Sequence, residues 1–158
     1  MTDLRTENVQ DYPRPPAVER VPQRLRVLLA GTEIANSTGA WRVLETHHAP
    51  TYYIPTQDIL PGALRPAPGS SHCEWKGRAV YFDVLAEQTI APRGAWSYPR
   101  ATAGFAQIED HVAFYPGAMS AAWVGAYAVT AQPGDFYGGW VTSNLTGIVK
   151  GGPGTLGW

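Results

Sequence analysis

The sequence predicts a mainly β domain, and three observations carry that prediction. Short segments alternate apolar and polar residues with period two, glycine and proline punctuate the chain between them, and no segment sustains a helical period long enough to stand alone. In residues 24–30, Leu25, Val27 and Leu29 share one face before Gly31 interrupts. Residues 33–36 and 41–46 read as short strands around Ser37-Thr38-Gly39, and Tyr52-Tyr53-Ile54 as another that stops at Pro55. Residues 78–85 are the clearest strand. Val80, Phe82 and Val84 form a core face, while Ala79, Tyr81, Asp83 and Leu85 form a mixed face able to line a pocket. Helix is limited to single turns, one beginning near Thr56 and broken by Pro61 and Gly62, one in residues 105–110. No internal repeat is found. The pattern fits a folded-over sheet, a barrel or a sandwich.

Composition divides the chain into three zones. Residues 1–22 form an extended, proline-rich arm carrying Pro13, Pro15, Pro16 and Pro22. Residues 23–116 form the β domain. Residues 117–158 hold ten of the seventeen glycines, three of the six tryptophans and only two charges, Asp135 and Lys150. That zone is too apolar for a linker, so it is expected to pack on the domain or on a partner subunit, which makes a homodimer conceivable.

A net charge of -1, from 12 basic and 13 acidic residues, gives no footprint for nucleic acid, so attraction to phosphate has to be local. The first 26 residues contain no apolar core of a secretory signal, and no run reaches the roughly 20 apolar residues of a membrane helix. Cys73 is the single cysteine, which rules out an intrachain disulfide and a zinc ribbon. A reducing, cytoplasmic setting is the simplest expectation, and there the sequons at Asn36 and Asn144 carry no meaning.

The candidate chemistry centres on His72-Cys73-Glu74-Trp75-Lys76-Gly77. Lys76 could lower the Cys73 thiol pKa, or bind a phosphate or carboxylate by itself; the plainer reading is a packed thiol beside a solvated lysine. Glu45, if it shares a face with Val43, is carried toward a cleft, where Arg42, Arg78 or Lys76 could partner it and where it could act as a general acid or base; otherwise it points to water. Tyr52, Tyr53, Trp75, Tyr81, Trp96, Tyr98, Phe114 and Tyr115 gather near proline turns and could wall a flat ligand, or simply fill a small core. His47, His48, His72 and His111 suggest no metal site, because neighbouring histidines in a strand face opposite ways. Residues 152–157 match GxGxxG letter for letter but lack the strand and helix that a dinucleotide site needs.

Several of these residues, in order and spacing, resemble the bacterial family known as domain of unknown function 427. They are residues 42–46, Tyr52-Tyr53-Ile54-Pro55 with Asp58, residues 73–77 with Ala79 and Tyr81, Trp96-Ser97-Tyr98-Pro99, and residues 112–115. The glycine-rich tail, from Phe136-Tyr137-Gly138-Gly139-Trp140 onward, resembles an extension carried by some actinobacterial members. The resemblance implies a β-tent, Mss4-like architecture: two short antiparallel sheets meeting at an edge, pinned here by aromatic packing instead of zinc. The family is sometimes labelled a putative nucleotidyltransferase, but the paired carboxylates and phosphate loop of such enzymes are not evident. The leading expectation is a small-molecule cradle between the two sheets for an anionic or nucleotide-like ligand, with catalysis on that ligand left open. Glu45, Tyr52 or Tyr53, Cys73, Lys76, Tyr81, Trp96 and Tyr98 would line it, and no cofactor is implied. Lys76 would hold an anionic group, Glu45 would orient it or accept a proton, and Trp96 would stack. The alternatives are a thiol enzyme with Cys73 as nucleophile, activated by Lys76 or His72, and a non-enzymatic interaction module using the tail.

Overall fold

The structure, a computed structural model, describes residues 4–73, 75–134, 137–152 and 155. Glu74 of the central segment, Asp135 and Phe136 of the tail, and most of the GxGxxG-like run lie outside the described residues. The chain is mainly β. Its strands are β1 (Glu7–Asn8), β2 (Ala17–Arg20), β3 (Leu25–Leu29), β4 (Thr32–Ser37) and β5 (Trp41–Leu44). Then come β6 (Thr51–Pro55), β7 (Leu64–Cys73), β8 (Gly77–Ala86), β9 (Thr89–Ser97) and β10 (His111–Phe114). The last are β11 (Ala121–Val124), β12 (Tyr127–Ala128), β13 (Thr130–Ala131), β14 (Trp140–Val141) and β15 (Leu145–Thr146). Helical structure among the described residues is confined to 3-10 turns, including the expected ones at Thr56–Asp58 and Ala103–Ile108. No described helix is long and apolar enough to cross a membrane.

Two antiparallel sheets dominate. The larger runs β2-β5-β6-β10-β9-β8-β7 and the smaller β12-β11-β3-β4. They pack face to face on one apolar core. Leu25, Val27 and Ile34 come from the smaller sheet, and Tyr52, Ile54, Val84, Val112 and Phe114 from the larger. Two long strands, β7 and β9, escape the sequence reading because prolines interrupt their alternation. Pro66 and Pro68 are tolerated in β7 because it is the sheet edge, where a missing N–H breaks no ladder. In β9 the register shifts opposite Phe82 and Val84, and Arg93 takes a positive φ of 50° there.

Described residues of both the arm and the tail are built into this frame. Residues of β2, assigned to the arm from composition, pair with β5 as the far edge strand. Likewise β11, just past the expected boundary at residue 116, pairs with β3 inside the smaller sheet. The arm and the tail then meet each other through the parallel pair β1 and β15. Trp140 of the tail is fully buried; its ring lies 5.0 Å from Tyr52 and its Nε1–H donates to the Phe114 carbonyl at 3.0 Å.

One ion cluster ties the arm to the sheet. The buried Arg42 guanidinium donates to both Glu7 oxygens, at 3.0 and 2.8 Å, and to Glu19 at 2.9 Å. Burial pushes the Glu7 carboxyl up, but hydrogen bonds from Arg42 and Tyr12 outweigh it and hold it below the usual carboxylate range. Arg42→Met is therefore expected to destabilise the fold by about 2–3 kcal/mol, because Glu7 loses its cationic partner in a partly buried place. Urea unfolding checks this, and the midpoint should fall without a change in slope.

Candidate active-site cavity

Period two sends successive side chains of the larger sheet to opposite faces. Tyr52 and Ile54 of β6 go into the core between the sheets, and Tyr53 goes to the other side. The same rule places Val43, Ala79, Tyr81, Trp96 and Ala113 with Tyr53. On that face lies a cavity of about 310 Å³. The cavity therefore lies on the far side of the larger sheet, not between the two sheets where the cradle was expected. Between the sheets, Tyr52, Phe114 and Trp140 pack against the smaller sheet's leucines and valines as core.

Of the residues expected to form the cradle, Glu45, Tyr53, Cys73, Lys76, Tyr81, Trp96 and Tyr98 all line this cavity. Tyr52 does not, because its ring belongs to the core on the opposite face. Arg42 also faces away from Glu45, toward Glu7 and Glu19. The lining further includes Arg14 from the arm, His48, Ser71, Tyr115, and Tyr137, Gly138, Gly139 and Lys150 from the tail. Alternation along Ala113 and Tyr115 could have flagged Tyr115. Arg14, His48 and Lys150 carry no local signal, since distant pairing delivers them.

Two turns position the polar wall. After β5, the His48 amide donates to the Glu45 carbonyl at 3.0 Å, and His47 turns the chain at a φ of 65°. The arm and the tail clamp this turn from both sides, the His47 amide donating to Val9 and the His47 carbonyl accepting from Lys150. The turn between β7 and β8 carries Trp75 and Lys76. It is held by Thr102, whose hydroxyl donates to the Trp75 carbonyl at 2.5 Å and whose amide donates to that of Lys76 at 3.1 Å.

The floor is aromatic. Tyr53 meets Trp96 edge to face at 6.3 Å, and Trp96 lies 4.4 Å from Tyr115. The tail covers part of the floor through Gly138, where an added Cβ would overlap the Trp96 ring, so only glycine permits this approach. Burial pushes the Tyr53 and Tyr98 phenols up and the Tyr115 phenol up to about 12, so all three remain protonated donors at neutral pH. The Tyr53 hydroxyl is buried without a hydrogen-bond partner among the described residues.

The charge around the cavity is lopsided. Arg14, Lys76 and Lys150 face one carboxylate among the described lining residues, Glu45. None of the four ion pairs among the described residues engages these cations. Lys76 Nζ sits 5.8 Å from the Tyr98 ring centroid and Lys150 Nζ 5.6 Å from that of Tyr137. Burial, followed by Lys150 and Lys76, depresses His48 to a pKa of about 4, so it is neutral at pH 7. The Cys73 thiol is free and half-buried. No three His, Cys, Asp or Glu side chains among the described residues come together as a metal site.

The model of the family described as "Domain of unknown function (DUF427)" matches residues 17–125, more than half of the chain, from β2 to just past β11. The model's short name labels the family a nucleotidyltransferase, while its description states no function. No curated protein matches the chain.

Gly138→Ala is expected to cost about 1–3 kcal/mol by forcing the tail off Trp96. Gly104→Ala, where a Cβ meets nothing within 4 Å, should leave urea unfolding nearly unchanged. His48 adds a pH dependence. Its folded pKa is depressed, so below about 6.5 the unfolded chain binds more protons. The stability it supplies is complete above about pH 6.5 and is lost as pH falls toward 4, by about 1–2 kcal/mol once solvent screening is allowed for. Comparing urea midpoints across that range for the wild type and His48→Asn checks this; the variant should lack this component.

Proposed function

The chain belongs to the family described as domain of unknown function 427, and we propose that it binds a small anionic ligand with a flat apolar body in this cavity. The reading is carried by one observation: three cations gathered around an aromatic floor with a single described carboxylate beside them. The chain as a whole is near neutral, so this excess is local and not a general basic surface. Lys76 holds the anionic group as a point charge, Trp96 and the tyrosines contact the planar body, and Glu45 orients a hydroxyl or amine of the ligand. A mononucleotide has these features, which makes AMP and adenosine a matched probe pair.

Calorimetric titration tests the reading. AMP should bind about tenfold or more tighter than adenosine, and Lys76→Met should abolish that difference while leaving the urea midpoint within about 0.5 kcal/mol of wild type. Equal affinity for the two probes, or an unchanged AMP isotherm in Lys76→Met, contradicts it.

A second reading, chemistry at Cys73, is favoured by the free thiol lining the same wall as Lys76. It requires iodoacetamide to modify Cys73 in the folded protein and AMP to slow that modification. A thiol that reacts only after unfolding removes this reading.

A further inference from the structure

Gln132 lies in the tail, beyond the family-matching span, and is the most buried polar side chain among the described residues of the tail, at 2% exposed. Its hydrogen bonds leave one arrangement. The Ala49 amide N–H, 3.0 Å away, can only donate, so it must meet the side-chain oxygen of Gln132. The side-chain NH2 then donates to the Lys150 carbonyl at 2.9 Å and faces His48 Nδ1 at 3.1 Å. Both of its hydrogens are thereby placed, and neither can accept. Nδ1 of His48 must therefore be the bare nitrogen, and the ring proton must sit on Nε2.

We propose that Gln132 is a positioning residue that holds His48 as a neutral, Nε2-protonated donor on the cavity wall, where it hydrogen-bonds an oxygen of the bound anion. This rests on the anion-binding reading above. The groups facing His48 support it from every side. Arg14 of the arm, Lys76 of the turn between β7 and β8, Lys150 of the tail and neighbouring His47 all oppose a further positive charge. Glu45, one turn of chain away, is the described carboxylate on this wall, and the Tyr137 ring meets the imidazole edge to face at 5.1 Å. A second proton would have to go on Nδ1, where it would oppose the Gln132 N–H that faces it and add charge among cations. His48 therefore cannot serve as a base through either nitrogen at neutral pH. It can donate, and the ligand that suits it presents a phosphoryl or carboxylate oxygen.

The test is a long-range proton–nitrogen spectrum of the 15N-labelled full chain, titrated with inorganic phosphate. In the free protein His48 should show a bare Nδ1 and a protonated Nε2, unchanged from about pH 8 to about pH 5. A proton on Nδ1, or a titration midpoint near the ordinary value of about 6.5, overturns the proposal. Gln132→Glu replaces the donor with an acceptor, so Nδ1 should gain a proton and the His48 midpoint should rise by more than one pH unit. If that variant fails to fold, the wild-type spectrum decides alone. Phosphate should shift the His48 Nε2–H resonance along the same isotherm that calorimetry reports and that Lys76→Met weakens. Phosphate that binds by that criterion without moving His48 overturns the His48 assignment and leaves the anion site standing. Absence of phosphate binding overturns both.

Discussion

Period-two alternation in the larger sheet obliges it to cover two apolar faces, and the rest of the structure follows from how each is covered. A strand such as β6 cannot put Tyr52 and Tyr53 on one side. Tyr52 goes under the smaller sheet, where Trp140 packs on it, and Tyr53 goes to the opposite side, which the arm and the tail line. That second face carries Trp96, Tyr98 and Tyr81, too much aromatic surface to leave to water. The glycine-rich tail and the proline-rich arm cover it in part. Irregular backbone follows a sheet less closely than another sheet does, and the cavity is the space left over.

The composition of the tail makes sense on that account. Glycine at residue 138 allows backbone to lie directly on Trp96, which a side chain would prevent. Buried polar groups that such irregular backbone would otherwise leave unpaired are matched by Gln132, which answers Ala49, Lys150 and His48 together. The tail serves in this chain as a wall of its own domain, with Trp140 completing the core on the other face. Cations arrive by the same route. Arg14 and Lys150 reach the cavity only because arm and tail are drawn across it, joining Lys76 from the turn between β7 and β8.

Much of this was legible in the sequence where the information is local. Alternation in residues 78–85 placed Tyr81 with Ala79, and that in residues 41–46 offered Glu45 beside Val43 as one of two readings; all four residues line the cavity. The side on which the cavity lies was not legible, because alternation separates two faces without saying which one meets another sheet. Prolines hid β7 and β9, since an edge position and a register shift make them tolerable and neither shows in a single strand's pattern. His48 was weighed only as a metal ligand. Its partner Gln132 lies 84 residues away, a distance over which no spacing rule operates.

On this reading the partly covered second face of the larger sheet holds an anion beside Lys76. An anomalous-difference map from crystals of the full chain soaked in selenate tests it most directly, because selenate shares the charge and shape of a phosphoryl group and scatters strongly enough to be located without assumption. The strongest peak should lie inside the cavity, within hydrogen-bond reach of Lys76 Nζ and over the Trp96 face. Peaks confined to Arg24 and Arg26 at the smaller sheet or to lattice contacts, with the cavity empty, would contradict it.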